Sequence, residues 1–277
     1  MRSLGAVVCT LNSEASIEAC LRSLIDAKVD QIVIVDGGST DRTIEIFHSL
    51  GLNYLTDPGK GLGLARNIGV GALHTDLALI VGSDNIFSED TIVAMKQKLG
   101  DGFLGVSCRT KVVPQGYLSF CLNSMWAAKI RPGEKSYIGT PQLFERKLLI
   151  DFPFSLNNSF SDDTELCTRL ITNLNGGFFT VPNFCEELGK SNFVELKKRY
   201  QIYGLSDWEI YSQNSEKWAL RRKFISLLHP LRTEFLTYIR HQSPLKSLLT
   251  LPILVYVTFI RYQSWMRKSI RTYKKTD

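Results

Sequence analysis

The stretch LGAVVCTLNSEASIEACLRSLIDAKVDQIVIVDGGST, residues 4–40, decides the fold. Its first seven residues are a continuous apolar run closing on Thr10, the pattern of a strand buried on both faces. Ile17, Cys20, Leu21, Leu24 and Ile25 then fall at the i, i+3, i+4, i+7, i+8 spacing of one helical face, with Asn12 or Ser13 as cap. QIVIV (31–35) is a second buried strand, and it stops at Asp36 before two glycines. The rhythm continues outward. DRTIEIFHSL (41–50) reads as a helix with acid in its first turn, GLNYLTD (51–57) as a strand, GLARNIGVGAL (63–73) as a helix and DLALIV (76–81) as a fourth strand. Such alternation calls for a parallel sheet with helices on both faces, and ligands bind such sheets beyond the carboxyl ends of the strands. Thr10–Ser13, Asp36–Thr40 and Gly82–Asn85 are therefore expected on one edge.

After residue 100 the pattern changes. FLGVSCRTKVV (103–113) and KSYIGTPQLF (135–144) suggest antiparallel or mixed strands, SDDTELCTRLITNLNGG (161–177) a helix with acids at its start, and GFFTVP (177–182) a further strand. Beyond about residue 190 the chain turns basic. Residues 190–277 hold 17 Lys and Arg against 6 Asp and Glu, within a net charge of +6 for all 277 residues. SLLTLPILVYVTFI, between Lys246 and Arg261, has 14 uncharged residues. As a helix it spans about 21 Å, short of a hydrocarbon core of about 30 Å. Extending it admits Arg261, which is expected to snorkel near one end. A basic apolar tail with Trp265, Tyr256 and Tyr262 suits a membrane surface. A packed helical domain or an oligomer interface accounts for the same composition. No nucleic-acid reader motif accompanies the charge.

The expected organisation is an α/β domain over residues 1–205 and a basic helical tail over 206–277. Hydrophobic content of 44% and charged content of 22% are those of a globular chain with a real core. Six cysteines without a CxxC pair, and an N-terminus unlike a secretory leader, read as reduced core residues in the cytoplasm. The four histidines sit at no metal spacing.

Four stretches carry possible chemistry. In VDGGSTD, Asp36 can accept hydrogen bonds from a base or ribose, or simply end a strand at a turn. DPGKGLGLARNIGVGAL sets Lys60 and Arg66 beside glycines, which suits a diphosphate, but it is neither a P-loop nor GxGxxG. A loop leading into a helix explains it equally. In GSDN, Asp84 is a single carboxylate able to hold a cation that a diphosphate also binds. SDDTELCTRL places Asp162, Asp163 and Glu165 at a helix start, where the dipole favours acids and where one of them can serve as general base.

In order and spacing, VVCTLNSEASIEACLRSLI, QIVIVDGGSTDRTIEI, GLGLARNIGVGAL, LALIVGSDN and SDDTELCTRL resemble the family 2 glycosyltransferases of the GT-A fold, over residues 4 to about 205. Asp36, Ser39, Asp41 and Thr43 match the family's VD-x-x-S-x-D-x-T element, and Ala65–Asn67 its A-R-N. The resemblance implies a GT-A (Rossmann-like) mixed sheet flanked by helices and an inverting sugar transfer from a UDP- or GDP-sugar. It implies that Thr10, Asn12, Asp36, Lys60, Arg66 and Ser83 line the nucleotide site, that Asp84 binds Mn²⁺ or Mg²⁺, and that Asp163 is the base. Gly82 stands where the family's D-x-D has its first acid, and Glu186 and Glu187 stand near where many relatives have a His. The expected acceptor is a hydroxyl of a lipid-linked or growing glycan, at the cytoplasmic face of a membrane. The alternatives are a polyprenyl-phosphate sugar synthase, a nucleotidyltransferase and a catalytically silent membrane scaffold.

Overall fold

The computed structural model describes residues 2–57, 59, 61–156, 162–189 and 192–273, the last three of these by their backbone only. Two compact units are present. One comprises residues 1–111 and 131–189, the other 112–130 and 190–277. The division departs from a single boundary at 205, because a segment from the middle of the chain joins the C-terminal helices.

The first unit is built on one mixed sheet. β1 (Leu4–Thr10), β2 (Gln31–Asp36), β3 (Tyr54–Thr56) and β4 (Leu77–Gly82) alternate with helices α1 (Ile17–Asp26), α2 (Thr43–Ser49) and α3 (Leu62–Ala72). These four strands are parallel in the order β3-β2-β1-β4, with Thr10 opposite Asp36 and Cys9 opposite Gly82. The near-continuous burial of β1 and β4 explains why the sequence shows apolar runs and no alternation there. The chain then forms β5 (Asn85–Ile86), α4 (Glu89–Gly100), β6 (Gly105–Val112) and α5 (Tyr117–Lys129). It continues through β7 (Gly133–Lys135), β8 (Gln142–Glu145), α6 (Arg146–Asp151), α7 (Asp162–Asn173) and β9 (Phe178–Glu187). β8 runs antiparallel to both β4 and β6, so β6 points the same way as β4 and ends on the same edge. KSYIGTPQLF is therefore not one strand: Lys135 closes β7, β8 begins at Gln142, and Thr140–Pro141 between them is a cis peptide.

Each face of the sheet has its own core. Leu79, Val81, Val106 and Cys108 pack with α1 and α4 on one face. Ala78, Ile80 and Phe144 pack with Ala65, Val70, Leu166, Cys167 and Leu170 of α3 and α7 on the other. The glycines of GLGLARNIGVG serve this packing. A Cβ on Gly69 would lie 2.2 Å from Val7 Cγ1, and one on Gly63 2.5 Å from the Ser155 carbonyl oxygen. A larger residue at either place would push α3 off β1 or off the 155 loop.

The second unit is helical. α5 joins α8 (Phe193–Asn214), α9 (Leu220–Leu227), α10 (His229–Leu231), a π-helical turn (Arg232–Leu236), α11 (Thr237–His241) and α12 (Pro244–Tyr273). Its core gathers Leu122, Met125, Leu196, Tyr200, Tyr238, Leu254 and Val257. Arg261 does not snorkel. It is 7% exposed, its Nε and Nη2 bond the Asp207 carboxylate at 2.5 and 2.8 Å, and its Nη1 bonds Glu234 at 2.9 Å. Lys129 and the Tyr200 hydroxyl donate to the other Glu234 oxygen. α12 is long and apolar enough to cross a membrane, yet 39% of its most apolar window is buried within the chain.

Candidate active site

Three strands deliver the expected residues to one edge, and the turns there are tied to one another. Asp36 is 2% exposed. One carboxylate oxygen accepts the N–H groups of Gly38 and Ser39, each at 2.8 Å, and the other accepts the Ser39 hydroxyl at 2.5 Å. Ser39 Oγ in turn accepts the Asn12 N–H at 2.8 Å, and Asn12 Oδ1 accepts the Thr40 N–H at 2.8 Å. Asn12 holds φ 48°, a left-handed conformation that asparagine tolerates better than most residues. Asp41 accepts the Glu14 N–H at 3.1 Å and the Thr43 hydroxyl at 2.5 Å, and Thr43 Oγ1 accepts the Ser13 N–H at 2.8 Å. Ser39, Asp41 and Thr43 thus bind the β1 turn to the β2 turn, which is the physical content of the S-x-D-x-T spacing. Asp36 spends most of its acceptor capacity on its own turn. Beside it the Thr10 hydroxyl is buried and, among the described residues, meets no hydrogen-bond partner, which is unusual for a native interior.

The β4 exit completes the edge. Ser83 Oγ lies 2.8 Å from Ser13 Oγ, so the β1 and β4 turns touch. The Gly82 N–H donates to Asn85 Oδ1 at 3.0 Å, and the Asp84 carbonyl accepts the Leu188 N–H at 3.0 Å. A Cβ on Gly82 would stand 3.0 Å from Asp84 Oδ1 and 3.1 Å from Asn85 Oδ1, so the Asp84 side chain leans into the space a first acid would take. Among the described residues no group of three or more His, Cys, Asp or Glu side chains converges as a metal cage. This donor set fits a hard cation only where a diphosphate supplies most of the oxygens and Asp84 one more.

Arg66 and Asp163 form a second cluster on the α3–α7 face. Arg66 is 5% exposed. Its Nη1 bonds Asp162 Oδ2 at 2.5 Å, its Nη2 bonds the Thr140 hydroxyl at 2.8 Å, and its guanidinium lies 5.0 Å from the Phe154 ring centroid. Its hydrogen bonds thus go to protein groups that fix the start of α7. Asp163, the next residue, is half-buried. Its Oδ1 accepts the Thr164 N–H at 2.7 Å, while Oδ2 stands 3.3 Å from where a Cβ on Gly139 would be. Burial raises its pKa and the Asp162 charge adds to that, against a lowering by Arg66. Cys9, on β1, packs against the core that α3 and α7 share on that face. Burial pushes its thiol up to about 12, so it stays protonated and is no nucleophile. Lys60 lies outside the described residues. Nothing in the sequence spacing singles out Asp162 and Thr140 as partners of Arg66; the adjacent acids of SDDTEL signal a carboxylate, but not which one pairs.

The mixed sheet, its polar edge at the ends of β1, β2 and β4 and its flanking helices are those of an α/β fold of the GT-A type. The chain belongs to glycosyl transferase family 2, whose model matches residues 6–152. No curated protein sequence matches it. Among solved structures it is similar to S. aureus TarS 1–349, at 16% identity and TM-score 0.53, over 99% of this chain and 92% of that one. TarS 1–349 has also been solved with UDP-GlcNAc, at the same identity and score. Glucosyl-3-phosphoglycerate synthase from Mycobacterium tuberculosis, with Mg²⁺ and UDP, is similar at 18% identity and TM-score 0.54, over 76% of this chain and 79% of that one. These likenesses concern the fold.

Proposed function

We propose that this glycosyltransferase moves a sugar from a nucleotide-diphosphate sugar to an acceptor hydroxyl with inversion, and that Asp163 is the base. The observation that carries the reading is Asp163 itself. It is a carboxylate whose pKa is raised by burial and by Asp162, held at a helix start by the Arg66–Asp162 pair. As the acceptor oxygen bonds the anomeric carbon, the bond from that carbon to the diphosphate oxygen breaks and its electron pair leaves with the diphosphate. Asp163 takes the hydroxyl proton. Thr10, Asn12, Asp36 and Ser83 border the nucleotide pocket in this reading, Thr10 offering the hydroxyl that the protein leaves unpartnered. A divalent cation bound with the diphosphate would take Asp84 as its protein ligand and neutralise charge on the leaving group. Related structures solved with UDP, UDP-GlcNAc, Mg²⁺ or Mn²⁺ support a uridine donor and a cation.

We place the enzyme at a membrane surface on its cytoplasmic side, with the acceptor lipid-linked or a growing glycan. Leu248, Val255, Phe259, Met266 and Ile270 of α12 and Leu220 and Phe224 of α9 are exposed apolar side chains, and Arg221, Arg222, Arg267 and Lys268 are set among them. Such a surface supports peripheral docking on anionic lipid. All six cysteines are free thiols, in keeping with a reducing compartment.

Calorimetry of the purified chain with UDP, GDP and CMP, with and without Mn²⁺ or Mg²⁺, tests the donor site. One nucleotide is expected to bind, more tightly with metal. Binding indifferent to metal would remove Asp84 from its role, and binding of none would sink the transferase reading.

A further inference from the structure

β6 carries two cations toward the edge that holds the candidate active site. Its register runs through β8: Val106 and Leu79 both face Leu143, and Ser107 and Ile80 both face Gln142. Carried two residues further, that register sets Arg109 level with Gly82. Alternation fixes the face. Val106 and Cys108 point into the core shared with Leu79 and Val81, so Ser107, Arg109 and Lys111 point to the other side. That side is the face of Ala78 and Ile80, covered by α7, the helix that starts with Asp162 and Asp163. The Ser107–Thr180 hydroxyl contact at 3.0 Å agrees, since β9 offers Phe178 to the same core.

Arg109 is incompletely satisfied there. Its guanidinium carbon sits 4.3 Å from the centre of the Phe184 ring, its Nε is buried without an acceptor, and no carboxylate among the described residues pairs with it. Burial lowers its pKa, the mark of a cation that lacks a counter-charge. Lys111, two residues on, bonds Glu186 at 2.9 Å, and both members of that pair are about two-fifths exposed, 42% and 41%. A half-exposed pair of this kind is weak and opens readily. A planar guanidinium stacked on an aromatic ring, with an ammonium close by, is the donor set that proteins use for phosphate.

We propose that Arg109, supported by Phe184 and Lys111, binds a phosphate group carried by the acceptor, holding it on the sheet face where Asp163 meets the attacking hydroxyl. The proposal rests on the transferase reading for the word acceptor, but the anion site stands on its own geometry. It narrows the acceptor to phosphorylated molecules such as polyol phosphates or a glycan on a phosphate-bearing carrier.

The test uses glycerol 3-phosphate as the probe and glycerol as its neutral control. Each is titrated into the full chain, alone and with saturating UDP, by calorimetry. Wild type is expected to bind glycerol 3-phosphate and not glycerol. Arg109→Gln is expected to weaken that binding at least tenfold while UDP affinity and the melting temperature hold. No binding by wild type, or equal binding by Arg109→Gln, overturns the proposal. Weakened UDP binding with glycerol 3-phosphate unaffected assigns the guanidinium to the donor diphosphate and overturns it too. If Arg109→Gln fails to fold, Arg109→Lys is measured: it keeps the charge but loses the planar fork, and undiminished binding overturns the proposal. If UDP fails to bind while the phosphate probe binds through Arg109, the donor reading falls and the anion site remains.

Discussion

Each unit buries a cluster of charges, and the two clusters are balanced differently. In the helical unit Lys129 and Arg261 meet Glu234 and Asp207, two cations to two carboxylates, tied by at least five hydrogen bonds. Burial would push the Glu234 carboxyl up, but Lys129 and Arg261 together hold it below the usual range. In the sheet unit one cation, Arg66, faces two adjacent carboxylates. Asp162 takes the guanidinium and Asp163 is left with a raised pKa. A closed set of charges holds helices together. A set one cation short leaves a carboxylate ready to accept a proton.

That contrast breaks first at Asp163. Asp163→Asn removes the surplus carboxylate and is expected to lower sugar transfer by about 10²–10⁴-fold, with nucleotide binding and melting temperature kept. An unchanged rate would take Asp163 out of the mechanism. In the wild type the rate is expected to rise with pH through a group titrating above the normal aspartate range, because the base must be ionised to act. Glu234→Gln should do the opposite, costing about 3–5 kcal/mol of stability by urea unfolding without touching nucleotide affinity. Its pH dependence has a definite sign. The folded pKa of Glu234 is depressed, so its contribution is present above the unfolded glutamate value and is lost as pH falls through the folded one.

Arg66→Met sharpens the comparison from the other side. Arg66 lowers the Asp163 pKa, so its loss should move the acid limb of the rate profile to higher pH. A limb that stays in place would make Arg66 purely structural. The smallest effect is expected at Thr10. Thr10→Val removes a hydroxyl that no protein group uses, so the free chain should keep its stability. Nucleotide affinity should drop by about 1 kcal/mol, read by the same calorimetry.

Local signals gave the first unit away and long-range ones hid the rest. β1, β2 and β4 show in single apolar runs, and the turns of Asn12, Ser39 and Asp84 follow directly from where those runs stop. The partner of Arg66 is 96 residues away, and Arg261 finds Glu234 and Asp207 at separations of 27 and 54. No spacing rule reaches across such gaps, so neither set of partners shows in the sequence, and Arg261 reads there as a snorkelling end group. α5 was not legible at all. Its buried positions, Leu118, Ser119, Cys121, Leu122, Ser124, Met125, Trp126 and Ala128, spread over more than half of the helix circumference and mix hydroxyls with apolar groups. The buried Ser124 hydroxyl is satisfied by Tyr238, 114 residues on.

The interruption of the sheet unit by residues 112–130 has a consequence for biosynthesis. Tyr117 of α5 donates its hydroxyl proton to the Leu249 carbonyl, 132 residues downstream. A ribosome adds roughly 5–20 residues per second, so the apolar surface of α5 is made roughly ten seconds before α12 exists to cover it. Once β9 has been made, and until α12 follows, the nascent chain carries every strand of the sheet beside a helix still lacking part of its cover. Truncations that stop short of α12 should therefore be held by chaperones or aggregate, even though every strand of the sheet has already been synthesised.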